Sequence, residues 1–313
     1  MDVRSIRVKL LRWYRRAKRD LPWRRTRDPY SIWISEIMLQ QTRVAAAMPY
    51  YERFLARFPD VAALARAREE DVLVLWSGLG YYSRARNLQK AARQIEAAGA
   101  FPSTHDTILE LAGVGEYTAA AIASISFGLP HAVVDGNVRR VASRLTNDSK
   151  VDARLVADRL LDRRDPARWN QAVMELGALV CLPREPRCGE CPIASHCAAR
   201  QAGTHNKVPG KRIKPATERL AKTLLVIRRG GKILLAPSSR VTGFWDLPEP
   251  FKGAALGDTA GEFVHTITRR RYTFSVCSAR GTASTECRWF DERKLGEIPL
   301  ATTAKKALRM VPK

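Results

Sequence analysis

Four cysteines lie within a short segment of the chain in the pattern C-x6-C-x2-C-x5-C: Cys181, Cys188, Cys191 and Cys197. Four thiolates on one loop can complete a tetrahedral metal site or hold one cubane iron–sulfur cluster. Structural zinc commonly uses two C-x2-C pairs, and only Cys188 and Cys191 are that close here. The spacing therefore favours a cluster, with zinc as the alternative.

A single glutamate lies in a second segment of interest, Ser31 to Thr42, where Glu36 is the only charge among mostly apolar residues. The pattern predicts a buried helix capped by Ser31. Burial penalises a carboxylate, so we expect the pKa of Glu36 to rise, which suits a general acid near neutral pH. The alternative is a structural glutamate that pairs with a distant arginine.

An aspartate marks the start of another predicted helix. Asp135 follows a strand-like apolar stretch, residues 132–134, and precedes a helical pattern from Gly136. A carboxylate at such an N-cap accepts backbone N–H bonds and stays ionised beside the helix dipole. Most aspartates in this position are only caps.

A turn with two glycines, Gly113 and Gly115, opens the apolar segment from Glu116 to Phe127. Such a turn leaves backbone N–H groups free to hold an anion at a helix N-terminus. By itself the pattern more often marks an ordinary helix–helix turn than a phosphate site.

The elements that must position these residues change in character along the chain. Apolar positions up to about residue 200 recur with the helical period and are interrupted by prolines, which predicts an all-α domain over residues 1–205. Residues 206–222 are basic and contain Pro209, Gly210 and Pro215, as expected of a linker. From residue 223 short alternating runs and a Gly230-Gly231 turn predict a small α+β domain over 223–313.

Composition narrows the class of partner. The 313 residues carry a formal net charge of +23, which favours a polyanion such as nucleic acid. The N-terminus has no uninterrupted apolar core for a signal peptide, and the longest span free of charges, residues 117–134, is broken by polar residues and a proline. We expect a cytosolic protein that contacts no membrane, in which Cys277 and Cys287 are ordinary thiols.

The cysteine spacing resembles the iron–sulfur loop of the endonuclease III and adenine glycosylase superfamily of DNA repair enzymes. The segments Ser35–Thr42 and Val134–Val138 resemble the motifs of its adenine-specific branch. The resemblance implies a helix-hairpin-helix DNA glycosylase with a 4Fe-4S cluster and a Nudix-like C-terminal domain. It further implies a monomeric protein in the cytoplasm, of the bacterial type and associated with the nucleoid. The expected substrate is duplex DNA with adenine opposite 8-oxoguanine or guanine, and the expected process is base excision repair.

The resemblance also assigns roles in catalysis. Glu36 matches the proton donor and Asp135 the aspartate that stabilises the sugar cation, with Tyr117 and Asn137 expected to position the Asp135 carboxylate and the sugar. Tyr117 occupies the position where bifunctional relatives carry a lysine. A tyrosine cannot form an imine with the abasic sugar, so strand cleavage should be absent.

Further residues match the family's DNA contacts. Gln40, Gln41, Thr42 and Tyr81 match residues that probe and wedge the base stack. Gly113 and Gly115 match the hairpin that grips a phosphate, often with a monovalent cation. Arg184 and Arg187 match the basic residues of the cysteine loop.

The segment Val241–Glu249 resembles the start of the family's lesion-reading domain, which is related to Nudix hydrolases. The Glu-rich metal-binding helix of a working Nudix enzyme is missing, so we expect no nucleotide hydrolysis. Where the family commonly has Phe-Ser-His at the damaged base, this chain has Ile267, Thr268 and Arg269.

Three other classes of protein share some of these features. They are a bifunctional pyrimidine glycosylase and lyase, a nucleotide hydrolase, and a non-catalytic iron–sulfur DNA-binding module. Tyr117 argues against the first, the missing Glu-rich helix against the second, and the pair of Glu36 and Asp135 against the third.

Overall fold

Helices account for the regular structure of the first two thirds of the chain. The computed structural model describes residues 2–210, 216–267, 269–281 and 286–311. Up to residue 210 these residues form twelve α-helices: α1 Val3–Ala17, α2 Pro29–Leu39, α3 Val44–Arg57, α4 Val61–Arg66, α5 Glu69–Trp76, α6 Ser83–Ala98, α7 His105–Leu109, α8 Glu116–Phe127, α9 Gly136–Thr146, α10 Ala153–Leu160, α11 Pro166–Leu179 and α12 Ala198–Gln201. The all-α prediction for this part of the chain is confirmed.

The chain divides into two compact units. One contains residues 2–62 and 90–210, and the other contains residues 63–89 together with the described residues from 216 onward. None of the helices in the described part of the chain combines the length and apolarity that a membrane span requires.

Helix α2 begins three residues earlier than the sequence pattern predicts. Asp28, not Ser31, is its N-cap, and the Asp28 carboxylate accepts the backbone N–H of Ser31 at 2.8 Å. Pro29 occupies the first helical position, where its fixed φ suits the helix and its missing N–H costs nothing. The helix is buried almost all round, with Trp33 fully inaccessible to solvent.

Helices α7 and α8 form a hairpin in the first unit. Thr104 and Thr107 make a capping box at the start of α7, and Gly113 has a φ of +77° in the turn. Helix α8 is buried from Thr118 to Ile125. The following residues 132–134, predicted to be strand-like, form no strand and lead directly into α9.

Strands dominate the second unit after residue 216. They are β1 Glu218–Val226, β2 Arg228–Arg229, β3 Lys232–Pro237, β4 Trp245–Asp246, β5 Ala255–Ile267, β6 Arg270–Arg280 and β7 Arg288–Asp291. One sheet has the order β1-β6-β5, with β1 parallel and β5 antiparallel to β6; in the other, β3 pairs with β2, β4 and β7. The predicted hairpin across Gly230 and Gly231 is confirmed as the β2–β3 pair.

One boundary of this unit differs from the sequence prediction. Strand β1 begins at Glu218, within the segment predicted to be a linker, because its basic first half pairs in register with β6. The short helix α13, Thr302–Leu308, packs on the apolar core that Leu224, Ile233 and Phe274 share, so the unit is α+β as predicted.

Candidate active site

A cavity of about 560 Å³ opens in the first unit and collects the residues with the clearest chemical potential. Such a volume suits a small ligand or a single extruded base. Glu36, Tyr117, Asp135 and Asn137 line it, and they come from α2, α8 and the start of α9. Helix packing therefore assembles four residues that are scattered over a hundred positions of sequence.

Glu36 is the buried acid of this cavity. It is 5% exposed, on a helix whose neighbouring side chains are apolar. Burial raises the pKa of Glu36 to about 7. The hydrogen bond from Tyr117 and the charge of Arg24 oppose this rise, and the charge of Asp135 adds to it. The predicted rise is found, and its main cause is desolvation. Glu36 can therefore be protonated near neutral pH and can release its proton there.

Tyr117 contacts the acid rather than the aspartate. Its hydroxyl donates to Glu36 Oε2 at 2.7 Å and lies 3.3 Å from Met174 Sδ. Burial and then the nearby Glu36 charge hold the pKa of Tyr117 well above 10, so the phenol keeps its proton and acts only as a donor. The resemblance predicted that Tyr117 would position Asp135; in the structure its hydrogen bond orients Glu36.

Asp135 begins α9 as the predicted N-cap. Its Oδ1 accepts the Val138 backbone N–H at 2.7 Å, and its Oδ2 accepts Asn137 Nδ2 at 2.8 Å. The Asn137 amide is fixed in turn, because Arg140 Nη2 donates to its Oδ1 at 2.8 Å. A Cβ added to Gly177 would lie 2.5 Å from Asn137 Cβ, so this glycine allows α11 to approach. Asn137 thus holds the Asp135 carboxylate as expected.

Sequence reasoning missed a second buried acid in the same cavity. Glu175 on α11 is 0% exposed and accepts bidentate hydrogen bonds from Arg24 and Arg19 at 2.6 to 2.9 Å. Burial alone would raise the pKa of Glu175, but the bonds from the two arginines outweigh it and lower the pKa to about 2. The signal was available, since Glu175 is the only charge between Arg168 and Arg184.

Part of the cavity wall near these acids is apolar or aromatic. Leu21, Trp23 and Ile32 line the cavity. Trp23 is 6% exposed, and its ring meets Tyr51 edge to face at 5.2 Å between centroids. An apolar wall with a few fixed polar groups is the usual form of a small-ligand site.

Residues after α2 carry an unusual backbone. Gln41 has a φ of +55°, which is strained for a residue with a side chain. Thr42 lines the cavity, and Gln40 Nε2 donates to Thr118 Oγ1 at 3.3 Å. Of the three predicted DNA-probing residues, Thr42 is therefore at the site itself, and Gln41 projects from a strained turn beside it.

Tyr81 lies in the second unit and has a similar backbone. Its φ is +49° and its side chain is 46% exposed. The turn is held by Arg84, whose Nη2 donates to the carbonyl oxygens of Leu79 and Gly80, and by Trp76 Nε1, which donates to Gly80 O. A strained turn with an exposed aromatic at its tip is a candidate contact surface.

The hairpin glycines leave a helix end open. Gly115 is the N-cap of α8 and offers no side-chain acceptor to the first turn of the helix, and a Cβ placed on it would meet nothing within 4 Å. The geometry is compatible with an anion at this N-terminus.

The four cysteines of the predicted cluster border one small cavity, away from the first. Arg144 Nη1 lies 3.2 Å from Cys181 Sγ, and Cys197 Sγ donates to the Arg144 carbonyl at 3.3 Å. Burial raises the pKa of Cys191 to about 11. Among the described residues no three His, Cys, Asp or Glu side chains converge on a point suited to a single metal ion. Arg184 and Arg187, on the loop between the first two cysteines, are exposed.

Two of the predicted lesion-reading residues, Ile267 and Arg269, lie in the second unit, at the end of β5 and just before β6. Ile267 forms the last pair of the ladder with Arg270, and Arg269 is exposed, with its carbonyl accepting the Glu218 N–H at 3.0 Å. Thr268 lies outside the described residues.

Comparison with known proteins places this arrangement in a class. Residues 34–164 match the family described as HhH-GPD superfamily base excision DNA repair protein. A solved structure of a thermostable thymine-DNA glycosylase superimposes with a TM-score of 0.60 at 28% identity, covering 64% of this chain and 97% of that one. The fold is thus that of the helix-hairpin-helix DNA glycosylases.

Relatives by sequence define the branch. The adenine DNA glycosylase of Mycolicibacterium smegmatis is 40% identical over 236 residues, which cover 72% of this chain and 78% of that protein. The chain belongs to the adenine DNA glycosylase family. The human adenine DNA glycosylase is 47% identical over 219 residues, 64% of this chain. The chain spans less than half the length of the mammalian relatives, 40% of the human protein and 45% of the rat protein.

Proposed function

We propose that this protein removes adenine from mispairs in duplex DNA by hydrolysing its N-glycosidic bond. The observation that carries the proposal is the pair formed by Glu36 and Tyr117, a protonatable carboxylic acid held by a phenol donor in a base-sized cavity. The second carboxyl group that such chemistry needs is that of Asp135, on the same cavity wall.

The first step follows from this geometry. Glu36 gives its proton to N7 of an adenine that has been extruded from the duplex, which makes the base a better leaving group. The C1′–N9 bond then breaks, its electron pair goes to the base, and positive charge develops on the sugar. Tyr117 donates to the carboxylate that Glu36 becomes, so it stabilises the product of proton transfer.

The second step belongs to Asp135. Two fixed donors, the Val138 N–H and Asn137 Nδ2, hold its carboxylate, so it can face the cationic sugar without reorganising. Water adds to C1′ and gives up a proton, which restores Glu36 to its acid form and leaves free adenine and an abasic site.

The reaction should stop at base removal. Among the described residues that line the cavity the basic side chains are arginines, and a lysine amine is needed to form an imine with the abasic sugar. We therefore propose a monofunctional glycosylase without lyase activity.

We further propose that the four cysteines hold a 4Fe-4S cluster. Their thiols surround a cavity, and a guanidinium lies beside Cys181 to offset negative charge. When bound, the cluster would fasten the loop that presents Arg184 and Arg187, which would place both arginines for phosphate contact.

The remaining DNA contacts belong to this proposal as well. Gln41 and Tyr81 would enter the base stack from their strained turns, and the open N-terminus of α8 would hold a phosphate. Ile267, Thr268 and Arg269 would read the base opposite adenine. We also propose that residues 1–205 act as the glycosylase and residues 223–313 as the lesion reader. Residues 206–222 would connect the two, although the last five of them already belong to β1, and residues 63–89 group with the second compact unit.

Single-turnover excision tests the function directly. Matched duplexes carry adenine opposite 8-oxoguanine, guanine, cytosine or thymine, and strand nicking is assayed with and without alkali. We expect release of adenine from the first two duplexes and nicks only after alkali. Absence of adenine release, or nicking without alkali, contradicts the proposal.

A further inference from the structure

The segment that delivers Asp135 is held in an unusual way. Residues 131–134 run between α8 and α9 and form no strand in the described structure. Their backbone groups are buried nevertheless, since Val133 is 1% exposed. Buried N–H and C=O groups need partners, and here a side chain supplies them.

That side chain is Asn170 on α11, which is 2% exposed. Its Nδ2 donates to the His131 carbonyl at 2.8 Å, and its Oδ1 accepts the Val133 N–H at 3.2 Å. One carboxamide thus binds a carbonyl and an amide two residues apart, as a neighbouring strand would.

The orientation of the Asn170 amide is determined by a third contact. The Ser124 hydroxyl donates to the Ala121 carbonyl at 3.2 Å, which leaves its oxygen as an acceptor toward Asn170. Asn170 Nδ2 donates to that oxygen at 2.9 Å. Both N–H donors of the amide are used, so a flipped amide would break all three bonds.

The opposite edge of the same segment is held independently. Arg154 Nη1 donates to the Ala132 carbonyl at 2.7 Å. Together with the bonds from Asn170 to His131 and Val133, this holds the backbone on both edges within four residues of Asp135. Small shifts of this segment would displace the carboxylate from the sugar it faces.

We propose that Asn170 is a positioning residue for excision, acting through the backbone of residues 131–133 on the placement of Asp135. The inference rests on the proposed function, because it gives Asp135 the role of stabilising the sugar cation. Asn170 itself does not line the cavity, so it does not touch the base.

The decisive variant is Asn170→Asp, which keeps the shape of the side chain. Ionised, the new carboxylate can still accept from Val133 but cannot donate to His131 or Ser124. Protonated, it regains one donor. We expect single-turnover excision at neutral pH to fall about 100-fold, the cost of a misplacement on the order of 1 Å, while the Kd for the lesion duplex changes less than about threefold.

The ratio of variant to wild-type excision rates should recover at least tenfold as the pH is lowered from about 8 to about 5.5. Glu36 and His131 are present in both proteins, so their titration cancels in the ratio and the ratio isolates residue 170. A ratio that does not change with pH contradicts the donor role of Asn170.

Val173→Ala is the matched control, since Val173 is buried one turn further along α11 and makes no hydrogen bond to the segment through its side chain. It should lower the melting temperature with excision within a few fold of wild type. Equal losses of excision in Val173→Ala and Asn170→Asp at similar stability mean that Asn170 is merely structural.

Hydrogen exchange of the Val133 amide separates this inference from the proposed function. In wild-type protein we expect that amide to be protected despite having no strand neighbour, and in Asn170→Ser to exchange at least tenfold faster. An unprotected Val133 amide in wild type overturns the inference without any variant. A different result is that the amide is protected in wild type and exchanges faster in Asn170→Ser, but wild type does not release adenine. In that case the proposed function fails, and with it the positioning role of Asn170 in excision. The hydrogen bonds of Asn170 to the segment are still supported.

Discussion

Removing the hydrogen bond from Tyr117 to Glu36 should extend excision to higher pH. The bond favours the ionised carboxylate and so opposes the effect of burial on the pKa of Glu36. With both effects present, the pKa of Glu36 is raised to about 7. In wild type the protonated fraction of Glu36, and with it the excision rate, should fall about tenfold between pH 6 and pH 8.

The magnitude for Tyr117→Phe follows from the strength of the lost bond. A hydrogen bond to a charged group contributes roughly 1.5–3 kcal/mol. At about 1.4 kcal/mol per pKa unit, the pKa of Glu36 in the variant should rise by roughly one to two units. At pH 8 the variant should keep about half or more of its own acid plateau, where wild type keeps about a tenth.

The assay is single-turnover excision from pH 5.5 to about 9 at constant ionic strength, with enzyme saturating at each pH. Tyr30→Phe is the matched control, because Tyr30 is also a buried phenol and donates to the Phe58 carbonyl at 2.8 Å, away from the cavity. Its profile should overlay wild type. Glu36→Gln should give a flat residual rate. If the alkaline limb of Tyr117→Phe stays in place or moves toward acid, Tyr117 does not tune Glu36 and the acid assignment loses its support.

The other predictions concern stability, charge and cofactor. Because burial raises the folded-state pKa of Glu36 above its ordinary value of 4.5 to about 7, wild type should lose roughly 3 kcal/mol of stability as the pH rises through that window. Glu36→Gln should lack this loss in urea unfolding at pH 5 and pH 8. Glu175→Gln should cost about 3 kcal/mol and shift the alkaline limb toward acid, since Arg24 is then uncompensated beside Glu36; an unmoved limb contradicts this coupling. The purified protein should be brown with about four irons per chain, and one zinc without iron refutes the cluster. Thr268→Ala should narrow the preference for adenine opposite 8-oxoguanine over adenine opposite guanine several-fold, by ~1 kcal/mol. Arg269→Ala should instead weaken binding to both duplexes and flatten the salt dependence of binding by about one phosphate contact. The reverse pattern would make Arg269 the lesion reader.

Local patterns predicted the helices well, and errors arose where a partner lies far away in sequence. Ser31 was a plausible cap, but Asp28 before Pro29 is better, because proline favours the first helical position. The strand-like residues 132–134 form no strand, and Asn170, from a helix later in the chain, binds the Val133 N–H and the carbonyl of the preceding His131 instead.

Strand boundaries in the second unit failed for a related reason. The basic start of β1 has no apolar alternation, and its strand structure depends on pairing with β6, where Glu218 is in register with Arg270. That register is a property of the sheet and is absent from the local pattern. Thus a segment predicted as linker contributes to a strand.

The cavity acids show most clearly what sequence can and cannot decide. Glu36 and Glu175 have the same signature, since each is the only carboxylate on its helix, and both are buried. The pKa of Glu36 is raised and that of Glu175 is lowered, because Glu36 accepts a hydrogen bond from one neutral phenol whereas Glu175 accepts hydrogen bonds from two guanidinium groups. The signature therefore predicts that a group is perturbed, and only the neighbours determine the direction. Glu36 holds a proton that it can donate, whereas Glu175 remains an anion that balances the charge of two arginines at the cavity wall. Two chemically identical side chains therefore take separate roles.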